Sequence, residues 1–199
     1  MSNTNSRHNL QQEKVWDPVS RLWHWAFAIA VIGNWYLGKF MTFDTIRWHF
    51  YTGFFILGLL AFRLLWGFIG PAPVRFKTFW PSPARLFRYL RSVRRREPSG
   101  ARGHNPLGAL SVYAMLLVIA GQAISGLFIE SDDFFETAPL HGSVSTEIAR
   151  FMSKWHHTLP VLILILILLH VAAILFYLFW KRENLAKSMV TGWKWVRRQ

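Results

Sequence analysis

The chain has 199 residues, 52% of them hydrophobic, a formal net charge of +13 and no cysteine. Without cysteine there are no disulfides, no thiolate-bound iron–sulfur clusters and no covalent C-x-x-C-H haem attachment. The positive charge does not point to nucleic acid, because it is gathered in the connections on one side of a series of long apolar segments.

Residues 1–14 are polar and are expected to be disordered. Four apolar segments then follow at about 20–40, 48–69, 106–129 and 155–180, each long enough to span a hydrocarbon core of about 30 Å. The runs are continuous rather than alternating, so helices are expected and not a barrel. The fold class is therefore all-α, an integral membrane four-helix bundle over 15–181. The first run is read as a span and not a cleaved signal peptide, since a second span follows closely and no A-x-A site lies between them.

Trp16, Trp23 and Trp25 suit an interfacial belt at the start of the first span. Between the second and third spans, Pro71, Pro73, Pro81 and Pro83 break up an extended stretch. PARLFRYLRSVRRR follows, with Leu86, Tyr89, Leu90 and Val93 at helical spacing and arginines between them, as in an interfacial amphipathic helix. Asn105 is placed to cap the third span, with Pro106 at its first position. Gly121 and Ser125 form a small-xxx-small pair for helix packing.

The 70–104 connection holds Arg75, Lys77, Arg85, Arg88, Arg91, Arg94, Arg95, Arg96 and Arg102 against one acid, Glu97. The tail over 182–199 is also basic. The 130–154 connection is net acidic, with Glu130, Asp132, Asp133, Glu136 and Glu147 against Arg150 and Lys154. Positive-inside bias then puts both termini and the 70–104 loop in the cytoplasm, facing anionic membrane lipid.

His156 and His170 lie fourteen residues apart on the last apolar run. Fourteen steps fall about 40° short of four full turns, so both rings share one face, separated by about 21 Å along the axis. A titratable ring at membrane depth marks a functional site by default. Depth pairs His49 with His156 on the outer side and His24 with His170 on the cytoplasmic side. Each pair suits the two opposed axial positions of a non-covalently held haem. His157 is the rival to His156, but it lies about 100° round the helix and off the face of His170. His8, His104 and His141 have no partner at matching depth. Arg63, fourteen residues after His49, is placed to pair with the propionates of the inner haem or to snorkel to the headgroups. Gly53 and Gly58 permit close approach of a porphyrin or of a neighbouring helix.

VWDPVSRLWHW, IRWHFYTGFFILGLLAFRLLWG, GHNPLGAL and WHHTLPVLILILILLH resemble the bacterial cytochrome b561 family, which includes the cytochrome b subunits of nickel–iron hydrogenases. The likeness covers about 15–181. It implies a four-helix cytochrome of the bacterial inner membrane, with two b-type haems whose ligands fall on His24, His49, His156 and His170. It also implies electron exchange between a quinone pool, ubiquinone or menaquinone, and a partner redox protein such as a c-type cytochrome. Hydrogenase subunits generally carry a further span, so four spans favour the shorter, more general group.

Three alternatives remain open at this point. One is superoxide oxidation coupled to quinone reduction, against which the net-acidic outer loop speaks. Another is a haem-carrying anchor subunit of a hydrogenase-like or other respiratory complex. The last is an anchor without haem. The quinone site is not fixed by the sequence; His24, Arg63 and Gln122 are the candidates.

Overall fold

The computed structural model describes residues 10–129 and 138–198. His8 and the acidic residues Glu130, Asp132, Asp133 and Glu136 lie outside them. The described residues form six α-helices: α1 Pro18–Lys39, α2 Ile46–Ile69, α3 Pro83–Ser92, α4 Pro106–Ser125, α5 Thr146–Phe179 and α6 Leu185–Thr191. A two-stranded antiparallel sheet joins β1 Leu10–Lys14 to β2 Trp193–Arg197.

Three helical stretches are long and apolar enough to cross a membrane: Ile46–Ile69, Pro106–Phe128 and Thr146–Phe179. α1 has 22 residues, enough for the length, but Arg21, His24, Asn34 and the tryptophans among them dilute its apolar character. α5 begins nine residues before the expected start at 155, because TEIARFMSK continues the helical pattern beyond the apolar run. It also runs through Pro160, whose ring removes the N–H that would otherwise bond the His156 carbonyl.

The chain divides into two compact units. One lies within Trp23–Arg63 and Ala114–Ile167, and its core draws on four helices: Phe27, Ala30 and Val31 of α1, Ile56 and Leu60 of α2, Ile119 of α4 and Ile163 of α5. The i, i+3, i+4 spacing on α1 and i, i+4 on α2 give each helix one inward stripe. Large apolar residues on other faces stay open, Leu117 at 75% and Val161 at 63%. Such exposure is unfavourable in water and suits hydrocarbon.

The other unit lies within Met1–Leu22, Leu64–Tyr113 and Leu168–Gln199. Asp17 caps α1, accepting from the Ser20 amide at 2.9 Å, with Pro18 at the first helical position. β1 corrects the expectation of disorder for residues 10–14, and α6 with β2 gives the basic tail a structure. Val196 of β2 packs with Val15, Trp16 and Val74. Lys194, also on the inward side, meets Glu183 at 3.4 Å and donates to the Gly103 carbonyl at 2.9 Å. Burial pulls its ammonium pKa down. The chain turns into β2 at Gly192, whose φ of 87° favours glycine.

α3 is the amphipathic helix expected from its arginines. The Tyr89 and Tyr177 hydroxyls bond, Lys181 donates to the Ser92 and Arg95 carbonyls, and Trp180 Nε1 donates to the Arg94 carbonyl. Arg85, Arg88 and Arg91 stay exposed beside Phe87 and Leu90, the composition of a helix lying at a lipid surface.

Asn105 caps α4 as expected, its Oδ1 accepting from the Gly108 amide at 2.9 Å. Asn105→Ala is expected to cost about 1 kcal/mol, read as a lower midpoint of thermal unfolding in detergent with an unchanged visible spectrum.

Candidate functional site

Two histidines from different helices meet in the unit built around the four-helix core. His49 lies in the first turn of α2, and His156 lies eleven residues into α5. Their ring centroids are 6.1 Å apart and their planes nearly perpendicular, at 85°.

Each ring is held by the same kind of contact. His49 Nδ1 lies 3.2 Å from the Asn34 carbonyl on α1. His156 Nδ1 lies 2.9 Å from the Gln122 carbonyl on α4 and 3.3 Å from Ser125 Oγ. A carbonyl can only accept, so Nδ1 carries the proton and Nε2 keeps its lone pair on both rings. That tautomer is the one needed to bind a metal through Nε2.

The spacing fits one metal ion between the rings. Imidazole nitrogens sit about 2 Å from a first-row metal, with each ring centre a little over 1 Å further out, giving a separation of about 6 Å. Among the described residues no three His, Cys, Asp or Glu gather as a metal cluster. Two imidazoles alone leave a metal short of ligands, and a macrocycle would supply the rest. Haem b does this without a covalent bond to the chain.

Gly38 and Gly126 stand against these rings, and sequence reasoning singles out neither. A Cβ at Gly38 meets His49 Cε1 at 3.0 Å, and one at Gly126 meets His156 Cε1 at 2.7 Å. Each glycine lies four residues after the residue whose carbonyl holds the ring. The depth argument used for the histidines also applies to them: both lie at the C-terminal ends of their helices, level with His49 and His156 in the expected order of spans. Gly53 and Gly58, singled out from the sequence, have no such contact; a Cβ at Gly58 meets nothing within 4 Å. Ser125, expected to serve packing, is buried and touches His156. Gly121 does sit in ordinary contact with Leu159, 3.5 Å from its Cδ1. His157 is exposed, whereas His156 is half-buried.

His24 lies on α1 within the Trp23–Arg63 segment of the same unit, half-buried, with its ring 5.2 Å from that of Trp25. His170 lies on α5 in the other unit and is also half-buried. Arg63 is only 6% exposed, and its guanidinium sits 5.8 Å from the Trp23 ring centroid. An arginine reaching for headgroups would leave its tip open, so the snorkelling alternative loses ground. Trp23 is fixed in turn by Nε1 donating to the Leu59 carbonyl at 2.8 Å. Asn34 Oδ1 and Gln122 Oε1 are buried with no hydrogen-bond partner among the described residues. His104 packs between Trp16 and Phe79, ring centroids 4.9 and 4.7 Å away, and His141 is exposed.

A family model described as prokaryotic cytochrome b561 matches residues 15–192. A probable Ni/Fe-hydrogenase B-type cytochrome subunit of Azotobacter vinelandii is 24% identical, over 90% of this chain and 87% of that protein. One from Cupriavidus necator is 23% identical, over 95% of this chain and 89% of that protein. No solved structure matches.

Proposed function

This chain belongs to the prokaryotic cytochrome b561 family, and we propose that it moves single electrons across the membrane through two haem b groups. His49 and His156 would hold the outer haem, and His24 and His170 the inner one. The observation that carries the reading is the outer pair: facing helices, ring centroids 6.1 Å apart, and both Nδ1 atoms on backbone carbonyls.

When bound, haem b supplies a one-electron ferric–ferrous couple. The chain binds and orients it. The Nδ1–H bonds to the Asn34 and Gln122 carbonyls fix the ring planes and make each Nε2 a stronger donor. The apolar core of Phe27, Val31, Ile56, Leu60, Ile119 and Ile163 keeps water out of the helical interior. Arg63, buried near the cytoplasmic end of α2, offers a cation to the propionates of the inner haem.

The relatives, described as probable Ni/Fe-hydrogenase B-type cytochrome subunits, support a redox enzyme subunit as the electron-exchange partner here. The quinone pool is our candidate for the other side of the exchange. Gln122 Oε1, buried without a donor among the described residues, is our candidate acceptor for a quinol hydroxyl. In this reading α1 is a fourth span, and both termini and the arginine-rich loop face the cytoplasm of a bacterial inner membrane.

A pyridine haemochrome assay on the purified chain should return two haem b per polypeptide. None, after expression with ample haem, overturns the reading. Topology has its own test, because the sequence contains no cysteine. In cells, Asp44→Cys is expected to react with a membrane-impermeant maleimide and Arg94→Cys to stay unlabelled until the membrane is opened. The reverse pattern, or labelling of both, refutes the topology.

A further inference from the structure

We infer that Gly38 and Gly126 are positioning residues that set the ring planes of His49 and His156 and, through them, the potential of the outer haem. This rests on the bis-histidine reading above.

The two sites repeat one device. On α1 the Asn34 carbonyl takes the His49 Nδ1 proton, and Gly38 follows four residues on. At the end of α4 the Gln122 carbonyl takes the His156 Nδ1 proton, and Gly126 follows four residues on. In a helix, the residue four places on stands directly over a carbonyl, because its own N–H is that carbonyl's helical partner. A side chain there shields the oxygen. Glycine leaves it open, so an imidazole can lie against the helix and share the carbonyl. At Gly126 the helix also gives way to a 3-10 turn, Gly126–Phe128, which loosens the last α-helical turn.

A side chain at 126 forces the ring to shift, and one at 38 presses on it. Carbon atoms in contact prefer about 3.5–4.0 Å. A Cβ at position 126 reaches His156 Cε1 at 2.7 Å and Nδ1 at 3.1 Å; one at position 38 reaches His49 Cε1 at 3.0 Å and Nδ1 at 3.4 Å. Neither ring can simply retreat. Each is tied at Nδ1 on one side and faces the other ring across 6.1 Å. Alanine must therefore turn the ring or stretch its Nδ1 bond, more so at 126 than at 38. A weaker Nδ1–H bond makes the imidazole a poorer donor, which favours the ferrous state and raises the potential.

The test uses the full chain with haem bound, read by redox titration and by electron paramagnetic resonance of the ferric state. Near-perpendicular axial rings, here at 85°, give a highly anisotropic low-spin signal, and turning one ring moves it toward the ordinary rhombic type. Gly126→Ala is expected to raise the potential of one haem and shift its signal, with Gly38→Ala doing the same more weakly. Gly121→Ala on α4 and Gly33→Ala on α1 serve as controls: a Cβ meets only Leu159 at 3.5 Å in the first and nothing within 4 Å in the second. Both should match the parent chain. Should Gly126→Ala not accumulate, Gly38→Ala decides in the same way. Parent-like potential and signal in both Gly38→Ala and Gly126→Ala overturn the inference, as does an equal change in the controls. His156→Ala run alongside separates the two ideas. Loss of one haem there, with parent-like glycine variants, removes the inference and leaves the haem reading. Full haem content in His156→Ala removes both.

Discussion

On the two-haem reading proposed above, His156→Ala is expected to hold one haem where the parent chain should hold two. The ring faces His49 directly, and it is fixed by contacts to α4 that no neighbour on α5 can reproduce. His157 is next in sequence but exposed, on another face of the helix. To take over, its ring would have to come about 100° round the helix. His157→Ala should therefore keep both haems and a parent-like spectrum. His170→Ala should also lose one haem, and the reduced-minus-oxidised spectra of the two single-haem chains should differ. If both variants lose the same spectral component, the assignment of ligands to two separate sites fails. Full haem content in either one removes that histidine from the ligand set. One site should empty while the other is kept, because a haem there would lose one of the two residues proposed to hold it and the packing that goes with it.

The meeting of His49 and His156 is legible in the sequence because titratable rings are rare inside apolar runs and costly there. Their spacing carries depth and face at once. The contacts that hold them are not legible. Asn34 and Gln122 act through backbone carbonyls, which every residue type has, so nothing in their side chains advertises the role. Gly38 and Gly126 look like any glycine of a membrane helix, where close helix packing is the default reason. The full extent of α5 escapes a hydropathy pattern, which marks where the hydrocarbon ends and not where the helix does. The pairing of β1 with β2 is hidden for a different reason. LQQEK has no β-branched or aromatic residue, and its partner is at the far end of the sequence. The partner does carry a signal. WKWVR alternates, with Lys194 and Val196 inward and both tryptophans outward. Its basic residues, however, also fit a charged tail, and that is how the stretch reads without its partner strand.

Lys194→Met is expected to destabilise the unit built around that sheet by about 3–5 kcal/mol, the usual result of leaving one partner of a buried ion pair alone. Lys194 and Glu183 side chains are 4% and 5% exposed. The Glu183 carboxylate also accepts from the Ser99 amide at 2.8 Å and its hydroxyl at 3.2 Å. With the ammonium gone, those two bonds and the attraction of the buried Lys181 ammonium must hold a full charge away from water, and the Gly103 carbonyl loses its donor. The charge, not the lost contact, is the larger cost. Glu183→Leu added to Lys194→Met should therefore recover most of the stability, leaving only the Ser99 donors and the Gly103 carbonyl unsatisfied. Thermal unfolding in detergent, followed by far-ultraviolet circular dichroism, reads the difference. The part of the visible spectrum that belongs to the proposed outer haem should match the parent chain before heating in both variants, since His49 and His156 belong to the other unit. A double variant no more stable than Lys194→Met would show that packing, and not the unpaired carboxylate, dominates at this site. A Lys194→Met chain as stable as the parent would overturn the claim that the unpaired Glu183 carboxylate is held away from water.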